Sequence, residues 1–141
     1  MDKFWLNAAF YQAGLALGIT GKNPAVGCVI VKNNEIVGLG HTSNKGRPHA
    51  EENALKMAGK NALGSTLYLT LEPCCLDDNH NSCTNQIIHA GVKKVVIGML
   101  DYNKLTFKKG INTLKKNGLE TKLKKLDFRN FLLNYSHYCF H

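Results

Sequence analysis

The sequence lacks the features that would direct a chain into a membrane or out of the cell. None of its apolar runs approaches the length of a membrane-spanning helix, and no basic segment followed by an apolar one opens the chain. Its five cysteines are an odd number, which without a secretion leader argues against a disulfide framework. We therefore expect a soluble cytoplasmic protein without membrane contact, whose 141 residues form one globular domain.

Acidic residues are also scarce. The chain has 10 Asp and Glu against 18 Lys and Arg, which gives a formal net charge of +8. The lysine pairs lie from position 93 onward, and this distribution favours a solvated lysine-rich face over a nucleic-acid groove. The charge is equally compatible with a small phosphorylated substrate. The charge thus allows either anionic partner, and the lysine distribution makes a small molecule more expected than nucleic acid.

Hydrophobic periodicity divides the chain into alternating helices and strands. Helices are predicted over residues 3–18, 49–59, 83–90, 107–117 and 128–138. Strands are predicted over residues 25–31, 35–40, 65–71, 94–100 and 120–126. Asn33 and Asn34 form the predicted turn of a hairpin between the first two strands. This order predicts a three-layer α/β domain, in which helices cover both faces of a mixed five-stranded sheet.

Four residues with metal and proton chemistry lie at the ends of these elements. His49 and Glu51 open the second predicted helix, Cys74 follows the third strand, and Cys83 opens the third helix. One imidazole and two thiolates suit Zn²⁺ and leave a fourth position open for water, whose pKa the ion lowers to about 7. The nearby carboxylate is suited to carry the water proton. The pattern predicts a zinc-dependent deaminase, with His49, Cys74 and Cys83 as metal ligands and Glu51 as proton shuttle.

A purely structural zinc site is the alternative interpretation of the same residues. Such a site closes with four protein ligands, and Cys75, His80 and His89 are candidates for the fourth position. Cys28, in a strand, and Cys139, near the last residue, are interpreted as core residues. Both kinds of zinc site stay open at this point.

The sequence around these residues resembles the pyrimidine deaminase domain of riboflavin biosynthesis. Three segments carry the resemblance: NPAVGCVIV at 23–31, PHAE at 48–51 and TLEPC at 70–74. Eight residues separate Cys74 from Cys83, as in the riboflavin enzymes, whereas most cytidine, deoxycytidylate and tRNA adenosine deaminases place two residues there. The similarity continues to Gly110 and covers nearly the whole chain.

The resemblance implies a cytidine deaminase-like fold and a specific reaction. That reaction is the hydrolytic removal of an amino group from 2,5-diamino-6-ribosylamino-4(3H)-pyrimidinone 5′-phosphate. The resemblance assigns the zinc ligands and the proton shuttle to the four residues already named. It further implies that Asn23 hydrogen-bonds the pyrimidine, that the backbone around Ala50 faces the ring, and that Asn79 meets the anionic part of the substrate.

Departures from the family pattern cluster in the segments that would contact substrate. The loop 75–82 lacks the usual family sequence and has Asn79 in place of a basic residue, Thr42 replaces an expected histidine, and the segment 101–110 is also altered. Family members usually carry a C-terminal reductase domain, whereas this sequence stops at His141, about where that domain would begin. We therefore expect residues 1–141 to be one zinc-dependent deaminase domain without a reductase domain, and a separate reductase and a homo-oligomer as candidate partners.

Two other functions stay open. The altered loops and the positive charge would also fit a deaminase of a different nucleobase, nucleoside or nucleic acid, and salt-dependent binding of tRNA or single-stranded DNA would reveal the last of these. A catalytically silent, zinc-stabilised module would keep the metal but would not need the Glu51 carboxylate.

Overall fold

The computed structural model describes residues 1–74, 82–101 and 108–125. The helices of these residues are α1 (Asp2–Leu15), α2 (Ala50–Ala58), α3 (Cys83–His89) and α4 (Lys109–Lys116). The strands are β1 (Gly27–Lys32), β2 (Glu35–His41), β3 (Thr66–Leu71), β4 (Lys94–Met99) and β5 (Glu120–Leu123). Short 3₁₀ turns occupy Asn44–Gly46 and Gly59–Ala62.

The five described strands form one mixed sheet in the order β2-β1-β3-β4-β5. Strand β1 is antiparallel to both of its neighbours, whereas β3, β4 and β5 run parallel to one another. Asn33 and Asn34 join β1 to β2 with φ values of 53° and 62°, which is the left-handed geometry of a tight hairpin turn. The predicted hairpin and the predicted mixed five-stranded sheet are both confirmed.

Helix α1 covers one face of the sheet. Its buried residues Leu6 and Phe10 pack against Val29 of β1 and Tyr68 of β3. The helix lies very close to the sheet at Gly27, where a Cβ atom would overlap the backbone of α1. A glycine is therefore required at this point of β1 because any side chain would push the helix away.

Helices α2, α3 and α4 cover the opposite face. Each contributes buried apolar side chains to one core cluster with the sheet, among them Ala54, Ile87 and Leu114, which pack with core residues such as Leu67 and Ile97. The prediction of helices on both faces is confirmed for the described part of the chain. The helix predicted over 128–138 lies outside the described residues. None of the described helices has the length and apolarity that crossing a membrane requires.

Two predicted element ends lie three residues from those of the structure, and the other differences among the described elements are one or two residues. The pattern predicts a first helix to residue 18, but α1 ends at Leu15. The backbone N–H groups of Ala16 and Leu17 bond carbonyls three residues back, which makes a tighter turn than the α-helix. Strand β5 ends at Leu123, although the pattern predicts a strand to residue 126.

An ionic cluster joins the first residue of α1 to the sheet. The Asp2 carboxylate accepts a hydrogen bond from the Tyr68 hydroxyl at 2.8 Å and lies 3.3 Å from the Lys94 ammonium and 3.1 Å from that of Lys122. Partial burial raises the pKa of Asp2, but these three partners outweigh it and lower that pKa to about 2. The cluster therefore fixes α1 against β3, β4 and β5.

Candidate active site

His49 is placed by the packing of α2 on β2. It is the N-cap of α2, with extended backbone angles, and the helix after it buries Ala50, Ala54 and Ala58. Two glycines of β2 allow this helix to approach the sheet, because a Cβ atom at Gly38 or Gly40 would overlap carbonyl oxygens of α2. The position of the imidazole is thus fixed by backbone contacts of the core.

The two cysteines meet where β3 leaves the sheet and α3 begins. The Cys74 carbonyl accepts hydrogen bonds from the Thr84 N–H at 3.1 Å and the Thr84 hydroxyl at 2.7 Å. The Cys83 N–H points to the Cys74 sulfur at 3.4 Å, and the Ser82 hydroxyl caps α3 by accepting from the Asn85 N–H. These bonds hold the first turn of α3 against the end of β3.

The three predicted ligands come together around one point. The His49 Nδ1 atom lies 3.3 Å from the Cys83 sulfur and 3.8 Å from the Cys74 sulfur, and all three donor atoms lie within 4.8 Å of one another. Ligands on a tetrahedral Zn²⁺ would be separated by about 3.6 Å for a nitrogen–sulfur pair. The donor types and their spacing therefore fit a zinc ion held by three protein ligands.

The ionisation of the two sulfurs also favours a cation. A hydrogen bond from the Cys83 thiol lowers the pKa of Cys74 to about 4, and the His49 ring adds to this effect. The same bond, together with burial and nearby negative charge, raises the pKa of Cys83 far above that of an ordinary thiol. The first thiolate forms readily, whereas the second needs a positive ion to offset its charge.

Glu51 lies beside this cluster and is only 4% exposed. Burial raises the pKa of its carboxyl to about 7, and the negative charge on the Cys74 sulfur adds to the rise. Glu51, His49 and Cys74 all line one cavity of about 130 Å³. A carboxyl that titrates near neutrality beside a cavity can both take and release a proton.

Asn23 lines the same cavity from the segment between α1 and β1. Its side-chain amide donates a hydrogen bond from Nδ2 to the Gly46 carbonyl at 2.9 Å. Gly46 has φ +98°, and a Cβ atom there would overlap the Asn23 amide nitrogen. This contact sets the plane of the amide and leaves its carbonyl oxygen as an acceptor, so the predicted hydrogen bond to a pyrimidine keeps a suitable group.

Thr42 stands where the resemblance predicts a histidine, and its side chain bonds the backbone of the segment that precedes β1. Its side chain is almost fully buried and lines the cavity. The hydroxyl accepts from the Val26 N–H at 2.9 Å and donates to the Pro24 carbonyl at 3.1 Å. Thr42 therefore holds the segment that carries Asn23.

Other predicted residues fall outside this group. Ala50 is fully buried as the first residue of α2, and its contact with substrate stays a prediction. Asn79 and two candidate fourth ligands, Cys75 and His80, lie outside the described residues. His89 is exposed at the end of α3, away from the three donors.

Sequence reasoning missed two acidic residues of the cavity wall, Glu72 and Asp101. Glu72 belongs to the segment 70–74, which carries the family resemblance, and Asp101 begins the altered segment 101–110; neither was predicted as a site residue. For Glu72 the sequence did offer a signal, because its carboxylate follows a buried strand two residues before the metal ligand Cys74. A buried carboxylate at such a position needs hydrogen-bond partners.

An open α/β sheet that carries one histidine and two cysteines around one point, beside a buried glutamate, is typical of zinc-dependent deaminases of nucleobases. Comparison with known families agrees with this class. The family described as "Cytidine and deoxycytidylate deaminase zinc-binding region" matches residues 1–99. The chain belongs to this family, and within it to the deaminases of riboflavin biosynthesis.

Individual relatives give the same result. The chain is 44% identical to the diaminohydroxyphosphoribosylamino-pyrimidine deaminase of Buchnera aphidicola subsp. Schizaphis graminum. The alignment of 122 residues covers 86% of this chain and 83% of that protein. The chain is also 45% identical to the riboflavin biosynthesis protein RibD of Aquifex aeolicus. That alignment of 120 residues covers 85% of this chain but 34% of the relative. The chain thus spans about a third of the length of that RibD relative. The predicted resemblance is confirmed.

Solved structures match in fold as well. The chain aligns with Acinetobacter baumannii RibD, form 2, with a TM-score of 0.88 and 37% identity over 98% of this chain and 38% of that one. A dCMP deaminase from the cyanophage S-TIM5 aligns with a TM-score of 0.67 and 26% identity over 86% of this chain and 95% of the other. The predicted cytidine deaminase-like fold is confirmed.

Proposed function

We propose that this protein removes an amino group hydrolytically from 2,5-diamino-6-ribosylamino-4(3H)-pyrimidinone 5′-phosphate. The observation that carries the proposal is the buried Glu51 carboxyl in one cavity with His49 and Cys74, with Cys83 completing a set of three metal donors. The name of the Buchnera relative, of which this chain covers most, supports the choice of substrate.

His49, Cys74 and Cys83 would hold the zinc ion. When bound, zinc supplies a Lewis acid that makes a water molecule acidic enough to react near neutral pH. His49 is the N-cap of α2, Cys74 lies three residues after the end of β3, and Cys83 is the first residue of α3, so elements that pack in the core position all three donors. The water and the substrate would meet the ion in the cavity that His49, Glu51 and Cys74 line.

Glu51 would move the protons of the reaction. The oxygen of water bonds to the amino-bearing ring carbon, and the carbon–nitrogen bond to the amino group breaks. Glu51 takes a proton from water, delivers it to a ring nitrogen and passes protons to the departing amine, which leaves as ammonia. The products are ammonia and a ring carbonyl in place of the amino group. A carboxyl with a pKa of about 7 is suited both to accept a proton from water and to release it to the amine near neutral pH.

Asn23 and Ala50 would orient the pyrimidine. The Asn23 amide, fixed by Gly46, offers a carbonyl oxygen that can accept from a ring N–H or an amino group. We also keep Asn79 as the residue that meets the anionic part of the substrate. A separate reductase and a homo-oligomer stay predictions; one solved relative, from Thermotoga maritima, is named as both a deaminase and a reductase.

The experiment is a turnover assay on zinc-loaded protein. We expect ammonia release from the diaminopyrimidinone nucleotide, and a loss of about 10²- to 10⁴-fold in Glu51→Gln, the size of a proton-transfer contribution. Glu35→Gln, which changes an exposed glutamate of β2, is the charge-matched control and should retain activity. Zero turnover by wild-type protein with one zinc bound per chain would reject this substrate.

A further inference from the structure

Glu72 has a set of contacts that the proposed reaction does not use. It follows β3, is 4% exposed and lines the active-site cavity. Its carboxylate accepts three backbone hydrogen bonds: Oε1 from the Asp101 N–H at 3.3 Å and the Lys108 N–H at 3.1 Å, and Oε2 from the Ile111 N–H at 3.1 Å. We propose that Glu72 is a positioning residue, which ties Asp101, a residue of the wall of the substrate pocket, to the first turn of α4.

The three donors come from both sides of the connection between β4 and α4. Asp101 follows the end of β4 and lines the cavity, while Lys108 and Ile111 belong to the start of α4. The separation in sequence is 29 residues from Glu72 to Asp101 and 39 to Ile111. One side chain therefore joins the end of β3, the end of β4 and the start of α4.

Gly110 is a second and independent contact at the same place. A Cβ atom at this residue would overlap the Pro73 carbonyl oxygen and lie 3.2 Å from the Glu72 Cγ atom. The first turn of α4 thus packs directly on the two residues that precede Cys74. Because backbone touches backbone here, a displacement of α4 would be transmitted to the cavity wall.

Two roles are thus separated within three residues, from Glu72 to Cys74. The Cys74 side chain is directed to His49 and Cys83, whereas the Glu72 side chain is directed to the backbone of Asp101 and of the start of α4. A defect at Glu72 should therefore act on substrate binding more than on the metal. The inference rests on the proposed function, because it names a residue that shapes the pocket for that substrate.

The test is Glu72→Gln in the full chain. Glutamine keeps one carbonyl oxygen, but its amide nitrogen must face at least one of the three N–H donors, and two donors cannot bond each other. We expect the KM for the pyrimidine nucleotide to rise about tenfold, the effect of one lost hydrogen bond to a charged group, while kcat changes by less than about threefold. Zinc content should stay at that of the wild type.

Gly110→Ala provides a second variant that leaves the carboxylate intact. Alanine favours a helix more than glycine does, so α4 itself should not be weakened. We nevertheless expect KM to rise in this variant as well, because the added methyl group pushes α4 away from Pro73. The controls are Lys116→Ala, an exposed change in α4, and Glu35→Gln, an exposed charge-matched change; both should have the wild-type KM.

Two results would overturn the inference. The first is a wild-type KM in both Glu72→Gln and Gly110→Ala, together with a lower free energy of unfolding, which would make the contacts merely structural. The second is loss of zinc from Glu72→Gln with an unchanged KM. This result would mean that Glu72 positions the metal ligand Cys74 and not the wall of the substrate pocket.

A readout without substrate keeps this test separate from the proposed function. If wild-type protein turns over no nucleotide, the proposed function fails, and amide hydrogen exchange then decides the inference. Glu72→Gln should speed exchange at Asp101, Lys108 and Ile111 relative to the last turn of α4. Unchanged exchange at these three amides would contradict the positioning role.

Discussion

Replacing Glu51 with glutamine should raise the stability of the metal-free protein while it removes activity. Burial raises the pKa of this carboxyl to about 7 from an ordinary value of 4.5. At about 1.4 kcal/mol for each pH unit, the ionised form costs the folded state about 3 kcal/mol. Because a raised folded-state pKa means that the folded state holds its proton more tightly, this group's stabilising contribution is present below about pH 4.5 and is lost as the pH rises through 7.

The assay is urea unfolding of zinc-stripped wild-type protein and Glu51→Gln at several pH values. Cys74, whose pKa is lowered, gives a pH dependence of opposite sign, which is present in both proteins; its own part cancels in their difference, and its interaction with Glu51 remains in that difference. The stability difference in favour of Glu51→Gln should grow by about 3 kcal/mol between pH 4.5 and pH 8. Glu35→Gln, at an exposed position, should show no such growth.

A flat difference across this pH range would refute the reasoning. It would mean that the Glu51 carboxyl is as well solvated in the folded chain as in the unfolded one, against its 4% exposure. The argument for Glu51 as a proton carrier near neutral pH would then lose its physical basis. A positive result would instead show that the protein sacrifices stability for chemistry at this residue.

Three further predictions concern the metal and the core. Cys83→Ala should bind no zinc in equilibrium dialysis, and its melting temperature, unlike that of the wild type, should not fall when a chelator is added. Gly27→Ala should lower the free energy of unfolding in urea by about 3 kcal/mol, because its methyl group overlaps the backbone of α1, whereas the exposed Lys116→Ala should change it little. Asp2→Asn should cost about 1 kcal/mol at pH 7, with allowance for the exposure of its lysine partners, and much less near pH 2. This sign follows because a lowered pKa gives stability that is present above about pH 4 and is lost as the pH falls; an equal cost at both pH values would contradict it.

The parts of the structure that depend on neighbouring residues could be predicted from the sequence. Residues that tolerate positive φ lie between two β-rich runs, and the hairpin of β1 and β2 forms there. The helical spacing of apolar residues after His49 predicts the start of α2. The prediction that His49 and Glu51 lie together at the start of this helix is correct. The motif spacing indicated which cysteines join them, because the family resemblance carries that information.

The parts that depend on distant contacts could not be predicted. Nothing local in the sequence shows that Glu72 bonds the N–H groups of Asp101 and Ile111, since the sheet order decides which loops meet. Thr42 was noted only as a departure from the family, and its two hydrogen bonds to the segment after Asn23 depend on the pairing of β1 with β2. In both cases the missing information is tertiary.

The way in which the three metal donors are held bears on whether zinc is needed for folding. Each donor is positioned by contacts that do not involve the metal: His49 by α2 on the glycines of β2, and Cys74 and Cys83 by the hydrogen bonds between the end of β3 and α3. The buried core cluster that packs α2 and α3 on the sheet, which includes Leu69, contains none of the three donors. A module whose fold depends on zinc would unfold when Cys74 is replaced. Here we expect Cys74→Ala to lose zinc and activity but to stay folded, which distinguishes an enzyme built around a metal from a protein stabilised by one.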